Sequence, residues 1–220
     1  MRQNKILLLI FLFSIMKNTA QDIYIQGGGT LMDWAHLKKY EQNNSELKKI
    51  NEPDRVVFMG NSITEGWSFL DKDFFINNPF VNRGIGGQTT PQMLIRFKPD
   101  VVNLNPKAVV ILAGINDIAE NTGPVTIENI AENIISMAEI AKANEIKVFI
   151  CSTLPAIDFP WSPGMEPGPK VIKLNSILKN YCDSNNIPYV DYFSAMSDEK
   201  GGLKVPEYTT ADDLVHPNLA

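Results

Sequence analysis

The chain is short of the residues on which several functions depend. It has only two cysteines and two histidines in 220 residues. None of them falls into a Cys-x-x-Cys, His-Glu-x-x-His or comparable cluster, so a dedicated metal site has no support. Cys151 closes an apolar, strand-like run and Cys182 lies on the apolar face of a predicted helix. Burial as free thiols is the simpler reading, with oxidation of the pair left open for an exported chain. Clustered Lys and Arg are also missing and the formal charge is −5, which argues against nucleic acid as a partner. Net charge says little about a single cleft, so an anionic polymer stays open as a substrate.

Long hydrophobic runs are absent too. The most apolar stretch, Ile6 to Met16, is far shorter than the ~20 residues a spanning helix requires, so no stable membrane insertion is expected. Arg2 and Lys5 precede it, and Asn18-Thr19-Ala20 lead to a cut before Gln21, which is the pattern of an export signal. The expected division is residues 1–20 as signal peptide and 21–220 as the functional domain, exported to a periplasmic or extracellular space. No cysteine follows the run, so a processed N-terminus offers no acceptor for lipid. Loss of Arg2, Lys5 and Lys17 takes the formal charge to −8.

What is present is a full core composition, 44% apolar and 20% charged, suited to one globular domain. From Arg55 onward, β-rich runs alternate with segments of helical period. The runs are Arg55 to Met59, Phe80 to Arg83, Ala108 to Leu112, Lys147 to Cys151 and Pro188 to Asp191, which predict a five-stranded parallel sheet wrapped by helices. Thr90-Pro91 reads as a helix start, with Thr90 as cap. Thr126 caps a second stripe from Ile127 to Ala141, and Val171 to Tyr181 forms a third. Trp34, Leu37 and Tyr40 form a helical stripe that packs the N-terminal segment onto the domain. Leu154 to Pro169, rich in Pro and Gly, reads as a loop.

Three distant segments then supply the groups of an acyl-transfer site: Gly60-Asn61-Ser62 a hydroxyl, Gly114-Ile115-Asn116 an amide donor, and Asp213 to His216 a carboxylate and an imidazole. Each has a plainer reading. Ser62-Ile63-Thr64-Glu65 is also a capping box, and Asn116 suits an ordinary turn. Of the histidines, His36 lies beside Lys38 and Lys39 with no obvious carboxylate, which suits a solvated or half-buried role. His216 has Asp213 three residues earlier, close enough to hold Nδ1–H and leave Nε2 free to accept a proton; Asp212 is a rival with poorer spacing. Gly84-Ile85-Gly86-Gly87 lacks the Lys and spacing of a phosphate loop, but a glycine loop at a strand end also brings a backbone N–H close to a reacting carbonyl.

Together with Asn82 to Thr90, Gly114 to Asp117 and Asp213 to Asn218, these residues resemble the SGNH branch of the GDSL hydrolases, from about Asp33 to the last residue. The resemblance implies a flavodoxin-like three-layer α/β/α sandwich. It also implies Ser62 as nucleophile, Asp213 and His216 completing the triad, and an oxyanion hole of the Ser62 N–H, the Gly87 N–H and the Asn116 side chain, with no cofactor. Asn61 stands where the family usually has Asp. Family members continue into a C-terminal helix, which Pro217 suits, so the chain is expected to be cut short at Ala220. Trp67, Phe159 and Trp161 are candidates to stack on a sugar. The expected substrate is a small-molecule or glycan acetyl ester. A lipid ester and a non-catalytic binding protein on the same fold are the alternatives, and no oligomeric state follows.

Overall fold

A computed structural model describes Thr30 and residues 32–219; the expected signal peptide, residues 1–20, lies outside the described residues. Five parallel strands, β1 (Val56–Gly60), β2 (Phe80–Gly84), β3 (Ala108–Leu112), β4 (Lys147–Cys151) and β5 (Tyr189–Val190), form one sheet in the order β2-β1-β3-β4-β5. That is the flavodoxin-like order, with its switch point between β1 and β3. β1 is in register with both neighbours, and Gly60 pairs with Gly84 on one side and Leu112 on the other. The three strand ends from which the candidate segments leave are therefore level.

Before the sheet, a 3₁₀ turn (Leu37–Tyr40) leads into helix α1 (Glu41–Leu47). Helices α2 (Ser62–Leu70) and α3 (Lys72–Ile76) connect β1 to β2 and pack against those two strands. The other crossovers are α4 (Thr90–Asp100), α6 (Ile127–Ala143) and α7 (Pro167–Asn185), which lie side by side in that order. Right-handed connections put them on the opposite face from α2, because β1 to β2 runs across the sheet in the reverse direction. Short helices α5 (Ile115–Ile118) and α8 (Tyr192–Met196) follow β3 and β5. Residues 197–219 form turns and an isolated Ser197–Leu203 bridge, with no helix.

Alternation along β1 separates two cores. Val57 and Met59 join Met93, Phe97, Ile130, Ile134, Leu174 and Leu178 in the main core, where full burial of each such side chain contributes ~1.5–3 kcal/mol. Phe58 faces the other way, into an aromatic cluster with Trp67, Phe74, Phe75 and Phe80. Cys151 and Cys182 are buried free thiols, and burial raises their pKa values to about 12 and about 11.

The expected cap on α4 is shifted by one residue. Thr89 is the N-cap, in a capping box with Gln92. Thr90 enters the first turn, where its N–H and hydroxyl both donate to the buried carboxyl of Asp117. Thr126 does cap α6, accepting from Asn129 N at 3.2 Å.

Candidate active site

The site is built at the C-terminal ends of β1, β2 and β3, where an open α/β sheet forms its crevice. A polar groove of about 760 Å³ near Lys48, Arg55, Lys107 and Glu145 lies at the opposite ends of the strands, away from these residues.

Ser62 is the first residue of α2, but the capping-box reading of Ser62 and Glu65 does not hold. Asn61 is the N-cap, its Oδ1 accepting from Ile63 N at 3.1 Å; an amide oxygen does this as well as a carboxylate, so Asn in place of Asp preserves the turn. Relieved of capping, Ser62 Oγ lies 2.9 Å from His216 Nε2. Close packing fixes this corner. A Cβ on Gly84 would meet Glu65 N at 2.1 Å, so only glycine lets the start of α2 lie against the end of β2.

His216 is oriented by its own turn. Asp213 Oδ1 accepts from the backbone N–H of Val215 at 3.1 Å and of His216 at 2.8 Å, and from His216 Nδ1 at 2.9 Å. Leu214 adopts φ 63°, a left-handed conformation that is strained for a non-glycine residue, and Val215 is buried. Burial works against the Asp213 carboxylate, but hydrogen bonds from the backbone and ring of His216 outweigh it and hold its pKa below the usual carboxylate range. With Nδ1–H committed to Asp213, Nε2 is the acceptor facing Ser62. Asp212, the rival orienter, is exposed.

Gly114 has φ 107°, and a Cβ there would lie 2.6 Å from Leu174 Cδ2. This turn starts α5 and buries Asn116, whose Nδ2 donates to Gln88 O at 3.0 Å. An amide carries two such hydrogens, so one remains. Gly87, at φ 73°, directs its carbonyl to Asn121 Nδ2 at 3.1 Å. The neighbouring Gly86 passes so close to Ser62 that a Cβ on it would be 3.8 Å from Ser62 Cβ.

The aromatic candidates separate. Trp161 is 45% exposed and its ring centre is 6.4 Å from that of His216. Phe159 is fully buried and stacks beneath Trp161 at 5.1 Å, so it supports that ring and cannot itself meet a ligand. Trp67 is also corrected: it stacks on Phe74 at 4.5 Å and meets Phe58 and Phe75 edge-on, a packing role.

Sequence patterning missed the buried frame below the site. Arg96, wholly buried, donates to Gly60 O at 2.9 Å and pairs with Asp100 at 3.0 Å. Asp100 also accepts from Asn44 Nδ2, and Asn44 accepts from Arg83. Tyr40 OH donates to Gly84 O. Gln88 and Gln92 donate to the carbonyls of Ala35 and Trp34. His36 is half-buried with Nδ1 unpartnered, and burial followed by the Lys39 charge lowers its pKa.

Residues 58–220 match the GDSL-like Lipase/Acylhydrolase family, and the chain belongs to that family of ester hydrolases. It is similar to a candidate acylhydrolase from Bacteroides fragilis NCTC 9343, at 52% identity over 84% of this chain and 89% of the other, with a TM-score of 0.79. A GDSL-like lipase from Bacteroides thetaiotaomicron VPI-5482 is 46% identical over 84% and 91%, also with a TM-score of 0.79. The uncharacterized lipoprotein YqeF of Bacillus subtilis (strain 168) is 28% identical over 160 residues, 64% of this chain and 66% of that one. Among the described residues there is no group of three or more His, Cys, Asp or Glu fit to hold a metal ion, and no helix long and apolar enough to cross a membrane.

Proposed function

We propose that the protein is an exported serine esterase that removes short acyl groups, chiefly acetyl, from carbohydrate. In this reading His216 Nε2 takes the proton of Ser62 Oγ as that oxygen attacks the ester carbonyl. The tetrahedral oxyanion is held by the Ser62 N–H, the Gly87 N–H and the second amide hydrogen of Asn116. Collapse breaks the bond to the alcohol, which leaves with the proton from His216. Water, deprotonated by the same imidazole, then releases the acid and restores Ser62. Asp213 keeps the ring in the required tautomer and offsets the charge it acquires.

The single observation that carries this reading is the unbroken chain from Ser62 Oγ to His216 Nε2 at 2.9 Å and from Nδ1 to Asp213 at 2.9 Å. The carbohydrate assignment is supported by Trp161, an exposed flat ring beside His216. Export is supported by the pattern of residues 1–20 and by the lipoprotein name of the Bacillus relative.

The test is hydrolysis of 4-nitrophenyl acetate together with labelling by a fluorophosphonate. The wild type should turn over the ester and be labelled at Ser62, and Ser62→Ala should do neither. Comparable turnover by Ser62→Ala would reject the assignment. A ladder of acetyl, butyryl and octanoyl esters tests the acyl length, and preference for octanoyl would favour lipid.

A further inference from the structure

We propose that Glu65 is a positioning residue that holds the Gly86-Gly87 segment in register with Ser62, and that Lys39 orients it; this rests on the assignment of Ser62 and Gly87 above. Glu65 is not needed by its own helix, because Asn61 caps α2. Its two carboxylate oxygens instead reach two other parts of the chain. Oε2 accepts from Gly86 N at 2.6 Å, while Oε1 pairs with Lys39 Nζ. The carboxylate is only 26% exposed, so the Gly86 bond is charge-assisted and partly shielded from water.

The loop requires such a restraint. Two adjacent glycines, the second at φ 73°, cross many backbone conformations at little cost, and rotation of that peptide turns the Gly87 N–H away from the reacting carbonyl. Ile85 N is tied to Gly60 O, and the carbonyls of Gly87 and Gln88 are held by Asn121 and Asn116. The Gly86 N–H is the anchor between these points, and Glu65 holds it. A Cβ on Gly86 would lie 3.1 Å from Glu65 Oε2, so the absence of a side chain there lets the carboxylate approach.

Lys39 adds a second consequence. It lies in the segment before residue 58, outside the stretch that matches the family, and the same segment receives Gln88 at Ala35 O and supplies Tyr40 to Gly84 O. The N-terminal strap is therefore part of the support of the oxyanion loop.

The experiment compares Glu65→Ala, Glu65→Gln and Lys39→Met on 4-nitrophenyl acetate, with thermal melting alongside. Misplacing one donor lowers kcat, so Glu65→Ala should lose ~10- to 100-fold in kcat with KM nearly unchanged. Glu65→Gln, whose amide oxygen still accepts from Gly86 N, should recover most of that loss, and Lys39→Met should show a smaller fall of the same kind. Unchanged kcat in Glu65→Ala, or a loss that tracks a lower Tm and is not rescued by Gln, overturns the proposal. If Glu65→Ala fails to fold, Lys39→Met decides: lowered kcat at unchanged KM and Tm supports the link, and unchanged kcat removes it. A wild type that resists the fluorophosphonate would instead refute the Ser62 assignment, so the two failures are distinguishable.

Discussion

Asn116 Nδ2 and Gln88 O lie 3.0 Å apart, which joins the donor after β3 to the glycine loop after β2. One amide hydrogen is thus spent on holding the loop, and the other is proposed to meet the oxyanion. Asn116→Ala should lower kcat by ~10²–10³, the usual cost of one oxyanion donor, with a smaller effect on KM. Steady-state kinetics on an activated acetyl ester measures this. Loss of affinity alone, with kcat intact, would place Asn116 outside the reaction.

Trp161 gives a prediction on selectivity. If its exposed ring carries a sugar, Trp161→Ala should raise KM for an acetylated oligosaccharide ~5- to 10-fold, the equivalent of about 1–1.4 kcal/mol of lost contact. Values for 4-nitrophenyl acetate, which has no sugar to stack, should barely move. Equal losses on both substrates would indicate that the ring only supports His216.

Asp117 should leave a mark on stability as pH changes. Burial raises its pKa to about 6, against hydrogen bonds from Thr90 that lower it, whereas an unfolded Asp titrates near ~3.9. Between these values the folded protein binds more protons than the unfolded one, so this group's contribution is full below ~4 and is lost as pH rises through about 6. Asp117→Asn removes the titration, so the Tm of the variant relative to wild type should climb from pH 4 to 6.5. A constant difference across that range would contradict the assignment.

Arg96→Met should be the most damaging change to folding outside the sheet. It strands the Asp100 carboxylate, which is as deeply buried as its partner, and loss of one member of a buried pair typically costs ~3–5 kcal/mol. Urea denaturation reads this directly. A loss below ~1 kcal/mol would mean that water replaces the guanidinium.

The sheet and its crossover helices were legible because parallel strands and amphipathic helices carry strong periodic signals: all five strand runs appear within a residue or two of their expected ends. Asp213 and His216 were legible because three-residue spacing suits one turn. The partners of Ser62 were less so. Ser-x-x-Glu specifies a local capping box, yet the chain resolved the choice in favour of Asn61, and Glu65 went to a segment 21 residues away. No local pattern encodes that, nor the convergence of Asn44, Arg83, Arg96 and Asp100, which exists only after three elements have packed. Phe159 and Trp67 were aromatic residues in plausible places whose exposure only packing decides.

The strained turn at Leu214 separates two kinds of stability within one molecule. The imidazole proposed as base is carried by the helix-free segment 197–219, pinned by the buried Val215, the Thr209 hydroxyl on His216 O and a bond from Asn218 N to Tyr208 O, while Ser62, the proposed nucleophile, opens helix α2, which packs directly on the sheet. Local opening of so lightly anchored a piece costs less than melting the whole. On gentle heating, turnover should therefore fade before the sheet yields, and return on cooling.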